Sequence, residues 1–349
     1  MQSRFIGTDL RKQKLNGFSH IKRTMKKKLI IGLLISLVFL YLAFRKVDYA
    51  ELWGALKGAN YWYIIPNIVL GLLSMWMRAY RWKFMINPIK KVGLTRLFHS
   101  VMIGFMANNV LPARLGEFVR AYSLGTKESI SKSATFATIV IERVFDGFSL
   151  LFILWLSLLF SPFPDWVRKA SNLFLLINLA LLAFLVFIEV KREPTLKLFN
   201  FIFRLLPVKL SLRAKEIMEK FIGGLKVFRN IPSLIWILGW SVFIWGVIGI
   251  SNYFIFLAFD LHPPIQASFI LLVIVCLGVM LPSSPGFVGT FQFFCVIALA
   301  TFGYDKNIAL PFSLVLHASQ YLPVTLLGLY YLKKEHLSLK TLESDSMEG

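Results

Sequence analysis

The sequence is short of charged residues, of acidic residues above all, and of cysteine. Only 16% of its residues are charged, and 18 acidic side chains stand against 39 basic ones. A soluble protein of this length could not cover its surface with so few polar groups. The two cysteines, Cys276 and Cys295, lie inside apolar stretches and give no basis for a disulfide framework. The five histidines show no metal-ligand spacing, so we expect no metal and no other cofactor.

The chain has instead a large excess of apolar residues. Hydrophobic residues make up 57% of it, and the mean hydropathy is +0.67. Apolar runs long enough to cross a bilayer recur along the whole chain. Six of them are predicted to be membrane spans, at 29–44, 61–77, 134–160, 172–190, 232–258 and 309–332. Two further apolar stretches cover 95–112 and 265–303.

The net charge of +21 is distributed as in a protein of a cytoplasmic membrane. A leader at 1–28 carries nine basic residues and one acidic residue, and 78–94 adds five basic residues. The segment 191–231 carries ten basic and three acidic residues, a net charge of +7. Since basic residues favour the cytoplasmic side, we expect these segments and both chain ends on the cytoplasmic side of the inner membrane of a prokaryote. No soluble basic domain is present, which argues against nucleic acid as a partner.

A short motif of helix-breaking residues occurs twice. Leu111–Gly116 ends one apolar stretch and Leu281–Gly286 ends another, and both read Leu-Pro-x-x-x-Gly. Paired interruptions in the two halves of a membrane protein point to a transport site. The charge rule requires an even number of crossings within 95–130 and within 265–303, as re-entrant hairpins or as paired spans. Three spans then separate the motifs, so the two halves would form an inverted repeat.

The predicted fold is therefore an all-α polytopic membrane protein. It has six to eight transmembrane helices, of which one or two are re-entrant or broken. Residues 29–332 form a single membrane domain, followed by a cytoplasmic tail at 333–349. Apolar residues at helical spacing within 191–231 predict two amphipathic helices on the cytoplasmic surface, separated by Pro207. The alternative for this segment is an ordinary connection packed on the bundle.

Ionisable residues inside the apolar stretches are the candidate functional groups, because charge at membrane depth is expensive and usually functional. Arg114, Glu117 and Arg120 follow the first motif at three-residue spacing. The span 134–160 adds three more charged residues, Glu142, Arg143 and Asp146. Arginines could hold a phosphate in a bidentate manner, with the acids balancing them. The alternative role is a set of ion pairs that hold the hairpin to the bundle.

The second motif contains more helix breakers than a simple kink requires. Two prolines and two glycines lie within eight residues, at Pro282, Pro285, Gly286 and Gly289. Together with Pro112 and Gly116 of the first motif, they are the candidate backbone positions of the site. A helix that starts after Pro285 would direct its positive dipole at the membrane midplane, where it favours an anionic group.

These pieces, in this order, resemble the lysylphosphatidylglycerol synthase transmembrane-region family, also called flippase-like domain proteins. The resemblance is carried by Arg81-Trp82, Asn109–Glu117 with Arg120, Glu142-Arg143 with Asp146, and Pro282–Gly289. It departs from the family at Gln292, where an acid is expected, which puts a charged role there in doubt. The site residues that the resemblance implies are Arg81, Asn109, Arg114, Glu117, Arg120, Glu142, Arg143, Asp146 and Gln292.

The resemblance implies a protein that handles lipids. In the multiple peptide resistance factor proteins, a similar membrane region moves aminoacylated phosphatidylglycerol across the bilayer. We therefore expect a flippase for an anionic or aminoacylated phospholipid or a glycolipid carrier. The alternatives are a membrane-embedded lipid transferase and a membrane partner that recruits a soluble lipid synthase. About 17 residues follow the last span, so no acyltransferase domain is expected in this chain.

Overall fold

A computed structural model describes residues 30–111, 114–159 and 165–338. These residues form thirteen α-helices and no strand. The helices are α1 (Ile30–Phe44), α2 (Tyr49–Gly58), α3 (Ile64–Ile86), α4 (Leu94–Val110), α5 (Gly116–Glu128), α6 (Lys132–Leu158), α7 (Asp165–Val190), α8 (Arg192–Phe203), α9 (Val208–Gly224), α10 (Ile231–Ala258), α11 (Gln266–Val279), α12 (Thr290–Ala300) and α13 (Lys306–Lys334). The predicted leader at 1–28 and Pro112 lie outside the described residues.

Side-chain caps fix where several of the helices begin. The carboxylate of Asp48 accepts hydrogen bonds from the N–H groups of Ala50 and Glu51 at the start of α2. Ser131 caps α6, and Asp305 caps α13 by accepting from the N–H of Asn307 at 2.6 Å. Each cap satisfies an N–H group that has no partner within its own helix. Polar residues in the short connections therefore set the limits of long apolar helices.

Three helices are long and apolar enough to cross a membrane, namely α7, α10 and α13. The pair α1 and α2, bent by 87° at its break, meets the same test when taken as one span. Helices α3 and α6 have 23 and 27 residues, and at about 1.5 Å per residue both exceed a hydrocarbon core of roughly 30 Å. Both carry charged residues in their interiors. All six predicted spans therefore correspond to helices, and the all-α prediction is confirmed.

The end of the second predicted span is wrong. The sequence places this end at residue 77 and assigns 78–94 to a basic loop, whereas α3 continues to Ile86. Arg78 and Arg81 are consequently helical and buried, with 3% and 0% of their surface exposed. Hydropathy ends the span early because it counts each arginine as a charge in solvent. The counter-ions that allow their burial come from α6, more than sixty residues further along the chain.

The two motif regions both form pairs of helices around a break. In the first pair, α4 and α5 pack closely, since a Cβ at Gly116 would lie 2.2 Å from the carbonyl oxygen of Gly104. In the second, α11 ends at Val279 and α12 begins at Thr290. Between them, Pro285–Phe287 forms one turn of 3-10 helix. The helix predicted to start after Pro285 begins at Thr290.

The segment 191–231 contains two helices, α8 and α9, on either side of Pro207, as predicted. Helix α9 packs on α6, and its residue Ile222 is fully buried. This part follows the alternative of a connection packed on the bundle. Helix α8 instead leaves large apolar side chains exposed, among them Phe201 at 66%. That exposed face is what a helix at a membrane surface would present.

Candidate functional site

A cluster of charged side chains from α3, α5 and α6 lies buried in the helix bundle. It contains Arg78 and Arg81 of α3, Arg120 of α5, and Glu142 and Asp146 of α6. None of the five has more than 4% of its surface exposed. Burial of a charge is strongly unfavourable unless the charge is paired and hydrogen-bonded. Each of the five has an ion-pair partner, in a network that connects them all.

Glu142 is held by two arginines from different helices. Its carboxylate oxygens accept hydrogen bonds from Nη1 and Nη2 of Arg120, both at 2.9 Å. Nη2 of Arg81 lies 3.4 Å from Oε1 of the same carboxylate. The guanidinium of Arg120 also stacks 3.7 Å above the ring of Trp82, whose Nε1 donates to Thr138. Arg120 is thereby fixed on one side by a carboxylate and on one face by an aromatic ring.

Asp146 lies one helical turn further along α6 and is held from three directions. Nη1 of Arg81 donates to its Oδ1 at 2.6 Å, and Nη1 of Arg78 donates to its Oδ2 at 3.2 Å. A third bond comes from α10, where Nε1 of Trp245 donates to Oδ1 at 3.0 Å. The hydroxyl of Ser241, also on α10, accepts from Arg81 at 2.5 Å. Helix α10 is therefore attached to the same network.

Arg143 is the partly exposed cation of this cluster, with 38% of its side chain accessible. It lies 3.5 Å from both Glu142 and Asp146, and 3.6 Å from Glu117 of α5. Counted with Arg143 and Glu117, the cluster has four arginines and three carboxylates, a net charge of +1. Arg143 is thus the most exposed arginine of the cluster.

Arg114 brings the two repeated motifs into contact. It adopts a left-handed backbone conformation, with φ of 54°. Its Nη2 donates to the carbonyl oxygen of Leu281 at 3.4 Å, and its guanidinium lies 5.0 Å from the ring centre of Phe287. Beside it, Tyr321 of α13 donates to the carbonyl oxygen of Asn109 at 3.3 Å. The first break, the second break and α13 therefore meet at one place.

The second break depends on glycine for its backbone path. Gly286 and Gly289 have φ values of 70° and 89°, a region that residues with a Cβ atom rarely adopt. A Cβ at Gly289 would also lie 2.4 Å from the carbonyl oxygen of Ser36 on α1. Gln292 supports this turn, since its Oε1 accepts from the N–H of Gly289 at 2.7 Å and its Nε2 contacts His317. It has no contact with the ion cluster.

A cavity of about 240 Å³ lies between α3, α10, α11 and α13, beside the ion cluster. Most of its wall is apolar. Three aromatic rings separate it from the arginines. The guanidinium of Arg78 lies 5.4 Å from the ring centre of Phe105 and 4.9 Å from that of Trp245, while Phe287 lies under Arg114. The site thus combines an apolar cavity with arginines that lie behind these three rings.

The structure brings most of the predicted site residues together. Arg81, Glu117, Arg120, Glu142, Arg143 and Asp146 form one cluster, while Arg114 and Asn109 join it to the second break. Sequence reasoning missed Arg78 and Trp245. The three-residue spacing from Arg78 to Arg81 would have placed both on one face of α3. No such signal exists for Trp245. Among the residues described, no group of His, Cys, Asp and Glu has an arrangement suited to a metal ion.

These features define an α-helical membrane protein in which broken helices meet beside a buried ion cluster and an apolar cavity. Residues 29–328 match the family model described as the lysylphosphatidylglycerol synthase TM region. The chain belongs to this family, as its motifs predict.

Similar proteins occur in archaea. A UPF0104 membrane protein of Methanothermobacter thermautotrophicus is 23% identical over 82% of this chain and 89% of its own length. The UPF0104 membrane protein MJ1595 of Methanocaldococcus jannaschii is 24% identical over 86% and 93%. Glycosyltransferase AglD of Haloferax volcanii is 29% identical over 35% of this chain and 20% of its own length. No solved structure matches the chain. The description of the family refers to the membrane region of a lipid synthase.

Proposed function

We propose that this protein moves phosphate-bearing lipids between the two leaflets of the inner membrane of a prokaryote. The observation that carries the proposal is the position of Arg143. It is a partly exposed arginine on a cluster of net charge +1, and this cluster adjoins an apolar cavity. A lipid has the same two parts, an anionic phosphate and a long apolar body.

The arginines divide into two groups with different tasks in this proposal. Arg143 and Arg114 bind the phosphate, because both are partly exposed and neither is held by a bidentate carboxylate. Arg78, Arg81 and Arg120 hold α3, α5 and α6 together through Glu142 and Asp146. In the sequence-based hypothesis Arg120 also binds phosphate, but both of its Nη atoms donate to Glu142. Glu117 orients Arg143 from the side.

In this proposal the broken helices form the path of the lipid headgroup through the membrane. Helix α5 has 13 residues, about 20 Å, which is too short to cross a hydrocarbon core of roughly 30 Å. This length favours a re-entrant hairpin for α4 and α5. Non-helical backbone at membrane depth is tolerated where protein buries it or where it lines a cavity. The contact between Arg114 and Leu281 supports two interrupted segments that meet. The distribution of basic residues supports entry from opposite faces, with both chain ends in the cytoplasm.

A transport assay with the full-length protein tests this proposal. The protein is reconstituted in phosphatidylcholine liposomes that contain phosphatidylglycerol with a fluorescent acyl chain, and a membrane-impermeant quencher reports which leaflet holds the label. We expect loss of protection of the inner-leaflet label relative to protein-free liposomes. Arg143→Gln should slow this transport at least tenfold, whereas Arg204→Gln, at the exposed residue that follows α8, should leave it unchanged. Equal rates for Arg143→Gln, Arg114→Gln and the unaltered protein would refute the assignment.

A second candidate function is glycosyl transfer from or to a lipid carrier. The similarity to glycosyltransferase AglD favours it. The ion cluster argues against acid–base chemistry at Glu142 and Asp146, because arginines occupy the oxygen atoms of both carboxylates. Formation of a glycosylated product by the purified protein, from a lipid-phosphate sugar donor, would favour this candidate over transport.

A further inference from the structure

Polar side chains without charge form a band in the wall of the cavity. We call Asn67, Ser251, Asn252, Ser319 and Gln320 the amide band. Nε2 of Gln320 donates to Oδ1 of Asn252 at 2.9 Å, which links α13 to α10. The hydroxyl of Ser319 donates to Oδ1 of Asn67 at 2.7 Å, and the amide of Asn67 donates to Ser251. The band therefore joins α3, α10 and α13 on one side of the cavity.

Two amides of the band keep unused hydrogen-bonding capacity. Asn252 has only 2% of its surface exposed, yet one of its two polar side-chain atoms has no partner among the described residues. One of the two polar side-chain atoms of Gln320 likewise has no partner among the described residues. These statements hold whichever way each amide is turned. Buried polar groups are nearly always paired, so an unpaired group that lines a cavity marks a place for a ligand or a water molecule.

The described wall of the cavity offers no counter-ion to a charged group. Among the described residues that line it, none is Asp, Glu, Lys or Arg. An amine or a carboxylate that entered would lose its hydration without gaining a counter-ion, which is strongly unfavourable. A hydroxyl group would exchange bonds to water for bonds to amides and hydroxyls that both donate and accept. The wall chemistry therefore suits neutral hydroxylated groups.

On α3, about three turns of helix separate the amide band from Arg78. Asn67 precedes Arg78 by eleven residues on α3, which corresponds to about 16 Å along the helix. Along that distance the cavity is lined on α3 by residues such as Leu72 and Met75. Ser74 is the polar residue of this stretch of α3, so a headgroup that leaves the arginines passes Ser74 before it meets the band.

We infer that the amide band receives the neutral, hydroxyl-bearing part of a phospholipid or glycolipid headgroup, and that the cavity discriminates against headgroups with an amine or a carboxylate. This inference rests on the proposed transport function and narrows its substrate class. The headgroup is a glycerol or a sugar joined to the phosphate. An aminoacylated lipid is a poor substrate.

Three lipids of equal net charge separate the possibilities. Phosphatidylglycerol and phosphatidylinositol each carry one negative charge and a neutral hydroxylated headgroup. Phosphatidylserine has the same net charge, but its headgroup carries an amine and a carboxylate. In the liposome assay with acyl-labelled lipids, we expect the unaltered protein to move the first two at least tenfold faster than phosphatidylserine. A preference between the first two distinguishes a glycerol from a sugar-like ring.

Variants test whether the amide band causes the discrimination between these lipids. Gln320→Leu should lower the rates for phosphatidylglycerol and phosphatidylinositol to that of phosphatidylserine, with Asn200→Leu on α8, outside the cavity, as a control that changes nothing. The lipid comparison in the unaltered protein keeps the inference testable if Gln320→Leu does not fold. Equal rates for all three lipids overturn the inference but leave the transport proposal intact. Transport of none of them overturns the transport proposal itself.

Discussion

Arg120 of α5 and Glu142 of α6 face each other through two parallel hydrogen bonds of 2.9 Å, with Trp82 of α3 stacked beneath the guanidinium. This arrangement connects three helices at one buried point. A bidentate pair of this kind is geometrically specific, since the planar guanidinium fits a carboxylate in one orientation. It also holds the three helices in this arrangement, because separating them would leave each charge unpaired in a buried site.

The first prediction concerns this pair. Glu142→Gln removes the charge that compensates Arg120 and part of that which compensates Arg81, while the shape of the side chain is kept. Removal of one partner of a buried ion pair costs about 3–5 kcal/mol. We expect a loss of this size in the free energy of unfolding, measured by denaturation in detergent micelles. Glu216→Gln breaks an exposed pair with Lys220 on α9 and should change nothing measurable.

A double variant tests whether the loss of stability in Glu142→Gln comes from the unpaired charge of Arg120. Arg120→Met combined with Glu142→Leu removes both charges and replaces them with apolar groups of similar size. We expect this protein to be more stable than Glu142→Gln alone, because no unpaired charge remains at the position. If the single variant unfolds no more readily than the unaltered protein, the cluster is not held by compensation of charge.

The second prediction concerns the second break. Gly289→Ala forces a Cβ into a left-handed conformation and against the backbone of Ser36, so we expect it to lower the free energy of unfolding by more than about 1 kcal/mol. Gly54→Ala, in the interior of α2 with open space around the Cβ position, should raise it by about 0.5–1 kcal/mol. Thermal denaturation of both variants checks the opposite signs. Equal shifts would show that the backbone of the break is free to rearrange.

The sequence predicts the helices and the positions of the two breaks well, because both depend on local patterns. Apolar runs locate the long helices, and the two Leu-Pro-x-x-x-Gly motifs mark the places where helices stop. Arg114 of the first motif does touch Leu281 of the second. Glu142 and Asp146 lie four residues apart on one face of α6, so their cooperation is readable from spacing alone.

The parts that the sequence does not predict depend on pairing between distant residues. Arg78 reads as a loop charge until Asp146, 68 residues away, is seen beside it. The amide band has no local signature, because Asn67, Asn252 and Gln320 are isolated polar residues in three separate helices. Hydropathy averages over such residues, and only the packing of α3, α10 and α13 places them around one cavity.

The third prediction concerns the exposed apolar face of α8. If α8 lies at the membrane surface, Phe201 contacts lipid. A fluorophore attached at Phe201→Cys in the reconstituted protein should be quenched strongly by lipids with brominated acyl chains. The same fluorophore at Lys220→Cys, on the exposed polar side of α9, should be quenched much less. Equal weak quenching at both positions would contradict an interfacial position for α8.

The fourth prediction concerns pH and the cytoplasm-facing end proposed for α13. Glu335 follows this helix and lies 2.6 Å from Nδ1 of His99 and 2.8 Å from Nη1 of Arg96. Burial alone would raise the pKa of Glu335. The hydrogen bond with His99 and the charges of Arg96, His99 and Lys127 outweigh burial and lower the pKa below its usual value of 4.5.

A carboxylate with a lowered pKa in the folded state stabilises that state above its unfolded pKa, and this contribution disappears as the pH falls through the folded pKa. Glu335→Gln lacks the contribution at every pH. The melting temperature of the unaltered protein should therefore exceed that of Glu335→Gln at about pH 5, and the gap should shrink towards about pH 3. Glu193→Gln, at an exposed carboxylate of α8, serves as the matched control with no such gap. A gap that stays constant between these two pH values would mean that the charge of Glu335 does not stabilise the end of α13.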